Sequence, residues 1–304
     1  MKESKLWFKG KIIPAEKGLV SVLSPGFQFG LNVFEGIRAY WNNRLNQLYL
    51  FRLEDHLNRL GQSCKLMRMR CPYSVEEMII FIKETIKAND LRQDTSIRIT
   101  TFVEDNWTWH ASEPLGMFIN AYENQRINTD EISGMRACVS SWERISDRSM
   151  PPRIKTGANY ISGRYAHLEA LANGYDLPIF LNSNGNVSEG AGSCLMILRG
   201  NELITPPLSA SILESITRQT IIEFARDLNL KTIERDIPRT ELYVADEIFL
   251  CGTSAEITPI ISIDQIQINN STPGKLTRLL LSNYHEITNG ENQKYTKWIT
   301  SVYK

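Results

Sequence analysis

Residues 178–207 read PIFLNSNGNVSEGAGSCLMILRGNELITPP, short apolar runs broken by polar turns. Asn184-Gly185 and Arg199-Gly200 mark the turns. Asn and Gly tolerate the positive φ that tight hairpin connections need, and apolar residues on either side point to paired strands. The segment therefore predicts a strand series with hairpin turns.

The neighbouring stretches change period. GRYAHLEALANGYD (163–176), just before the series, reads as a helix, and so does SITRQTIIEFARDLNL (215–230) after it. RACVSSWER (136–144) reads as a strand, and ADEIFLCGTSAEITPIISI (245–263) as strand, turn and strand. Nearer the start, LWFKGKIIP predicts a short hairpin and NQLYLFR a strand. LEDHLNRLGQSCKLM places Leu53, Leu57, Leu60 and Cys64 at helical spacing. SVEEMIIFIKETIKAND is a second amphipathic helix, with Ser74 and Glu77 spaced as a capping box. SIRITTFVE and LGMFINAYE are β-rich. The stretch ENQRINTDEISGM (123–135) has neither period and reads as a linker. Helices and strands mix without strict βαβ alternation, so the expected class is α+β with two domains meeting at a cleft. The expected boundaries are a small domain over 1–125, a linker over 126–137 and a larger cofactor-binding domain over 138–304.

Composition narrows the function. The 304 residues are 42% hydrophobic and 22% charged, with 34 basic and 34 acidic side chains. No net basic field favours nucleic acid or an anionic membrane. The first residues lack the apolar core of a signal peptide, and no apolar run is long enough to span a bilayer. Five scattered cysteines without paired spacing suggest reduced thiols in a cytoplasmic protein. Four isolated histidines give no case for a catalytic metal.

Several groups could carry chemistry. Lys155 follows a Pro-Pro pair in SMPPRIKTGANY. Most lysines are solvated surface charges; one becomes a nucleophile when burial or a nearby cation removes its proton, and Arg153 is a candidate cation. In LESITRQTIIEF, Ser215 or Thr217 is a simple N-cap, or the N–H groups of Ile216 and Thr217 bind a phosphate at the positive helix end. FLCGTSAEITP offers the same choice: Gly252 allows close approach, and Thr253 and Ser254 present hydroxyls and N–H groups. Glu189, in the Gly-rich GNVSEGAGSCL, is a turn residue or a carboxylate for a protonated ring nitrogen. Arg38, Arg52 and Arg59 suit bidentate anion binding, or are ordinary ion pairs.

The order FEGIRAY, FRLEDHLNRL, IKTGANY, NVSEGAGSCL, LESITR, CGTSAEITP resembles the fold-type IV, class IV pyridoxal-phosphate (PLP) aminotransferases, within which it is most similar to the branched-chain amino acid enzymes. The resemblance runs from about Phe8 to about Gly274. It implies a two-domain fold: a small N-terminal α/β domain and a larger β-barrel-like domain with helices. It implies PLP bound to Lys155 as a Schiff base, with Lys155 as the catalytic proton shuttle. Tyr160 would bond the cofactor's phenolic oxygen and Glu189 its pyridine nitrogen. Arg59, Ile216, Thr217, Gly252 and Thr253 would hold its phosphate. Phe34, Gly36, Arg38, Arg98, Ser254 and Ala255 would lie near the substrate. The partners implied are an amino donor, a keto acid acceptor such as 2-oxoglutarate, and a second copy of the chain.

Three departures bear on the substrate. Ser96 and Phe29 stand where the family often has tyrosines in the carboxylate pocket. EDNWTWHASEP brings Trp107, Trp109 and His110 to a usually Gly-rich stretch, where they would cover the pocket mouth. Glu214-Ser215 replaces a Gly-containing pair, and Ser still suits an N-cap. The alternatives to L-branched-chain transamination are a relaxed transaminase acting on D-amino acids or (R)-amines, and a non-catalytic binding protein on the same fold.

Overall fold

The structure is a computed structural model and describes residues 4–104, 107–126 and 132–303. In chain order the elements are β1 (Lys5–Phe8), β2 (Lys11–Pro14), α1 (Pro25–Gln28), β3 (Asn32–Asn42), β4 (Gln47–Phe51), α2 (Leu53–Leu66), α3 (Val75–Ala88), β5 (Thr95–Val103) and β6 (Leu115–Glu123). They continue with β7 (Met135–Glu143), α4 (Tyr160–Ala172), β8 (Leu177–Leu181), β9 (Val187–Gly190), β10 (Cys194–Arg199), β11 (Glu202–Thr205), α5 (Ile216–Asp227) and β12 (Lys231–Glu234). The last are β13 (Glu247–Gly252), β14 (Glu256–Ile263), β15 (Ile266–Gln267), α6 (Lys275–Thr288) and β16 (Ile299–Ser301).

Two compact units result. The first comprises Met1–Arg126, Ile154–Ala158 and His285–Lys304; the second comprises Ile127–Arg153 and Asn159–Tyr284. The division is not the single cut expected near 126–137. A five-residue piece around Lys155 and the C-terminal end both join the first unit. Long-range backbone pairing accounts for it, and neither period nor polarity announces such pairing: β16 pairs antiparallel with β4, and Phe34 N–H donates to the Lys155 carbonyl at 2.9 Å. Residues 127–131 of the expected linker lie outside the described residues.

The first unit is built on a seven-stranded sheet in the order β16-β4-β3-β5-β6-β1-β2. On β3, Val33, Ile37 and Ala39 alternate onto the core face. There they meet Leu53, Leu57, Leu60 and Cys64 of α2 and Met78, Ile82 and Ile86 of α3. The capping box forms as the spacing predicts: Glu77 N–H donates to Ser74 Oγ at 3.2 Å and Ser74 N–H to Glu77 Oε2 at 2.8 Å.

The second unit holds a nine-stranded sheet. Its strand β10 pairs with both β13 and β9. That closes β10, β13, β14, β7, β8 and β9 into a six-stranded barrel. Its apolar filling includes Ile179, Val187, Leu195, Ile197, Ile248, Leu250 and Ile260. The turns at Asn184-Gly185 and Arg199-Gly200 fall between strands, and both glycines have positive φ (77° and 55°). Among the described residues, no helix is long and apolar enough to cross a membrane.

Candidate active site

Sheet alternation and register gather the first unit's residues. Gly36 pairs with Arg98, Arg38 with Ser96, and Phe34 with Thr100. Directly opposed residues share a face, so Phe34, Gly36, Arg38, Arg98 and Ser96 lie on one face of β3 and β5, opposite the core residues. A Cβ on Gly36 would meet nothing within 4 Å, so that face is open at its centre. The Arg98 guanidinium stacks 4.0 Å from the Phe34 ring centroid, and Lys155 Nζ lies 5.1 Å from the same ring. Arg38 donates to the Asn124 carbonyl at 2.8 Å, and Asn124 Nδ2 donates to Ser96 Oγ at 2.8 Å. Where a tyrosine is often found, this chain thus holds a serine bonded to Asn124.

Lys155 is seated by backbone. Its N–H donates to Ser63 Oγ on α2 at 3.2 Å, and its carbonyl accepts from Phe34 on β3. Gly157 N–H donates to Asn32 Oδ1 at 3.2 Å, tying the same segment to the start of β3. Arg153, the candidate cation near Lys155 in sequence, pairs through its guanidinium with Glu214 at 2.6 Å within the second unit. Lys155 has the aromatic face of Phe34 near its amine.

Arg59 has a partner that sequence reasoning missed. Glu35 points to the core side of β3, fully buried. It accepts two hydrogen bonds from Arg59, at 2.7 and 2.8 Å, and contacts His56 Nδ1 at 2.7 Å. Burial alone would push the Glu35 carboxyl up; Arg59 and His56 outweigh it and hold it down at about 2. Burial lowers the His56 pKa against the pull of Glu35. A neutral ring then donates its Nδ1 hydrogen to the carboxylate, a tautomer assigned from this geometry. His56 and Arg59 sit i, i+3 on α2, a visible spacing, but only the β3–α2 contact brings Glu35 to them. Arg52 is structural: it pairs with Asp55 and stacks 5.0 Å from the Trp298 ring.

The second unit presents its own set. Glu189 on β9 is buried and accepts from Arg144 Nε at 2.9 Å and a second Arg144 nitrogen at 2.7 Å. Leu213 N–H also donates to it, at 3.2 Å to Oε2. Burial pushes the Glu189 carboxyl up, against the opposing Arg144 charge. Arg144 lies 45 residues away in sequence and gave no signal there.

The Gly-rich turn is set by packing. A Cβ on Gly163 of α4 would lie 2.7 Å from the Ala191 carbonyl oxygen, so only glycine lets that helix approach the turn. The Tyr160 ring, at the start of α4, lies beside Gly192, whose Cβ would meet it at 3.7 Å. At the start of α5 the N-cap is Ser215, whose Oγ accepts from Arg218 N–H at 3.2 Å. The N–H groups of Ile216 and Thr217 stand ahead of that bond at the positive end of the helix. Gly252 ends β13, and Thr253, Ser254 and Ala255 form the turn into β14. A Cβ at Gly252 would meet Gly192 and Ser193 at 3.5 Å, an ordinary contact, so packing within the chain does not by itself demand glycine there.

Of the departures, the aromatic ones fall at the surface, while Ser96 and Ser215 are half-buried. Phe29 is 48% exposed, Trp107 65% and Trp109 74%. Among the described residues, no group of three or more His, Cys, Asp and Glu could hold a metal ion.

The amino-transferase class IV family matches residues 32–263. A probable branched-chain-amino-acid aminotransferase from Aquifex aeolicus is 38% identical over 98% of this chain and 96% of its own. The crystal structure of a branched-chain amino acid aminotransferase from Thermobaculum terrenum in its PLP form superposes with a TM-score of 0.94 at 43% identity, covering 99% of each chain. That of a branched-chain aminotransferase from Thermoproteus uzoniensis with norvaline gives 0.93 at 40% identity, over 99% of this chain and all of the other. The chain belongs to the class IV aminotransferases.

Proposed function

We propose that this aminotransferase moves the amino group of L-leucine, L-isoleucine and L-valine to 2-oxoglutarate, using PLP bound at Lys155. When bound, PLP supplies the electron sink that stabilises the carbanion left by loss of the substrate's α-proton. The donor set suits such a group. Glu189 is a buried carboxylate fixed by Arg144, the Leu213 N–H and the Cys194 thiol, the type of group that would accept from a protonated ring N–H. The α5 N-terminus and the Gly252–Thr253 turn offer N–H groups to a phosphate. Tyr160 offers a phenol, and Arg59, oriented by Glu35, offers a cation.

Lys155 Nζ then takes the α-proton and returns it, a general acid–base task for an amine whose backbone is held at both N–H and carbonyl. Arg38 and Arg98, on the open face at Gly36, orient substrate carboxylates, and the Phe34 ring offers an apolar wall.

The observation that carries the reading is this seating of Lys155 against β3 and α2, in a chain similar along its whole length to branched-chain aminotransferases. The test is a half-reaction screen. The holoenzyme's visible absorbance should bleach with L-leucine, L-isoleucine and L-valine, and much less with D-alanine or (R)-1-phenylethylamine. No bleaching by the three L-amino acids would sink the proposal. Lys155→Ala should abolish the borohydride-reducible chromophore and lower kcat by about 10²–10⁴-fold, as expected when a proton-transfer group is lost; a variant that keeps the reducible chromophore would show the lysine to be wrong.

The working form is a homodimer in a reducing, cytoplasmic compartment. Exposed Leu19, Val22, Leu23 and Phe27 in the first unit, and Trp142, Ile161, Tyr165, Leu168 and Leu171 in the second, are apolar side chains that a second copy would cover. The five free thiols fit the compartment. A monomeric mass by light scattering at working concentration would contradict the dimer.

A further inference from the structure

Two thiols of the first unit have no part in the reaction above. Cys64, in the last turn of α2, is buried at 1% exposure. Cys71 follows the loop after the helix, half-buried and packed against the same core. That loop folds back: Met69 N–H donates to the Cys64 carbonyl at 2.9 Å, and Arg68 takes a left-handed φ of 56°. The fold-back brings both thiols against the same core, where each shifts the other's acidity, and the Cys71 thiol also donates to the Tyr73 carbonyl at 3.4 Å. On its other side, Cys71 lines an open surface cavity of about 530 Å³, shared with Arg70, Tyr73 and Glu113. Cys71 therefore borders the surface cavity, while Cys64 is sealed in the core.

Their acidities diverge. The hydrogen bond from Cys64 stabilises a Cys71 thiolate and, against burial, brings Cys71 down to about 7. The same contact, with burial, raises Cys64. Burial raises the other three thiols, Cys138, Cys194 and Cys251. The thiolate is the reactive form, so reactivity concentrates at Cys71.

We propose that Cys71 and Cys64 form a hydroperoxide-reactive thiol pair, in which Cys71 attacks through the surface cavity and Cys64 resolves the product to a reversible disulfide. The Cys71 sulfur bonds one peroxide oxygen as the O–O bond breaks. The departing oxygen takes a proton and leaves as water or an alcohol, and Cys71 carries a sulfenic acid. The Cys64 sulfur then displaces that hydroxyl, which leaves as water with the proton of the Cys64 thiol. Two thiols are oxidised by two electrons in all, and one peroxide is reduced. Ser63, which accepts the Lys155 N–H, is the neighbour of Cys64, so the new bond lies one residue from the seat of Lys155.

The test treats the full-length holoenzyme with hydrogen peroxide at neutral pH, alkylates the remaining thiols after denaturation, and maps the peptides by mass. The expected product links Cys64 to Cys71, is reversed by dithiothreitol, and leaves Cys138, Cys194 and Cys251 alkylated. Cys64→Ser should stop at a Cys71 sulfenic acid that dimedone traps, and Cys71→Ser should leave Cys64 reduced. Oxidation of a buried thiol with Cys71 untouched overturns the proposal, as does oxidation of Cys64 in Cys71→Ser at the wild-type rate. The wild-type map decides the matter even if a variant folds poorly: a bridge between any other pair, or none, refutes it.

Discussion

Replacing Glu35 with glutamine keeps the side chain's size and removes its charge. In the native chain this carboxylate is fully buried between Arg59 and His56. Its pKa falls from an ordinary 4.5 to about 2. At roughly 1.4 kcal/mol per unit, the ionised form contributes about 3 kcal/mol to the folded state. Glutamine also leaves the Arg59 guanidinium buried without its anion, and breaking a buried pair from one side costs about 3–5 kcal/mol. Urea unfolding followed by tryptophan fluorescence is a suitable assay, because Trp7, Trp41 and Trp298 belong to the same unit. At pH 7, Glu35→Gln should lower the unfolding free energy by about 3–5 kcal/mol. The gap should depend on pH in one direction. A carboxyl with a depressed folded pKa stabilises fully above the unfolded value of 4.5 and loses that contribution as pH falls towards about 2. The wild-type and variant curves should therefore converge between those values. A gap below about 1 kcal/mol at pH 7, no more than an exposed ion pair contributes, or one that stays constant into acid, would refute the account.

Other outcomes follow from single contacts. Arg144→Met strips Glu189 of its guanidinium inside the barrel unit and should cost about 3–5 kcal/mol of stability; a loss under about 1 kcal/mol in urea unfolding would mean the pair is not buried as described. Gly163→Ala places a methyl 2.7 Å from the Ala191 carbonyl and should destabilise by about 1–3 kcal/mol, read as a lower thermal midpoint; an unchanged midpoint would show that α4 can move away from the turn. Ser215→Ala removes the α5 cap and should cost about 1 kcal/mol with weaker PLP retention on dialysis, while Ser215→Thr keeps both; equal behaviour of the two variants would argue against the cap.

Much of the local structure was legible in advance because short-range rules govern it. The Ser74–Glu77 capping box, the apolar stripe of α2 and the glycine turns at Gly185 and Gly200 each depend on residues within a turn or two of one another. The motif order also carried the family, because each motif is a local backbone device such as a helix N-terminus or a glycine turn. Arg153 shows the limit of such rules: it neighbours Lys155 in sequence, while its ion pair is with the distant Glu214.

Lys155 marks the boundary between the two kinds of knowledge. From sequence alone it is the candidate cofactor lysine, through its place in an ordered set of motifs. That it sits with β3 and α2, held by Phe34 and Ser63, was decided by tertiary structure, as were the Glu35–Arg59–His56 cluster and the Arg144–Glu189 pair. Each joins residues far apart in the chain. A charge can be buried only beside its partner, and which partner arrives depends on strand register and helix docking, which no local pattern of residues encodes.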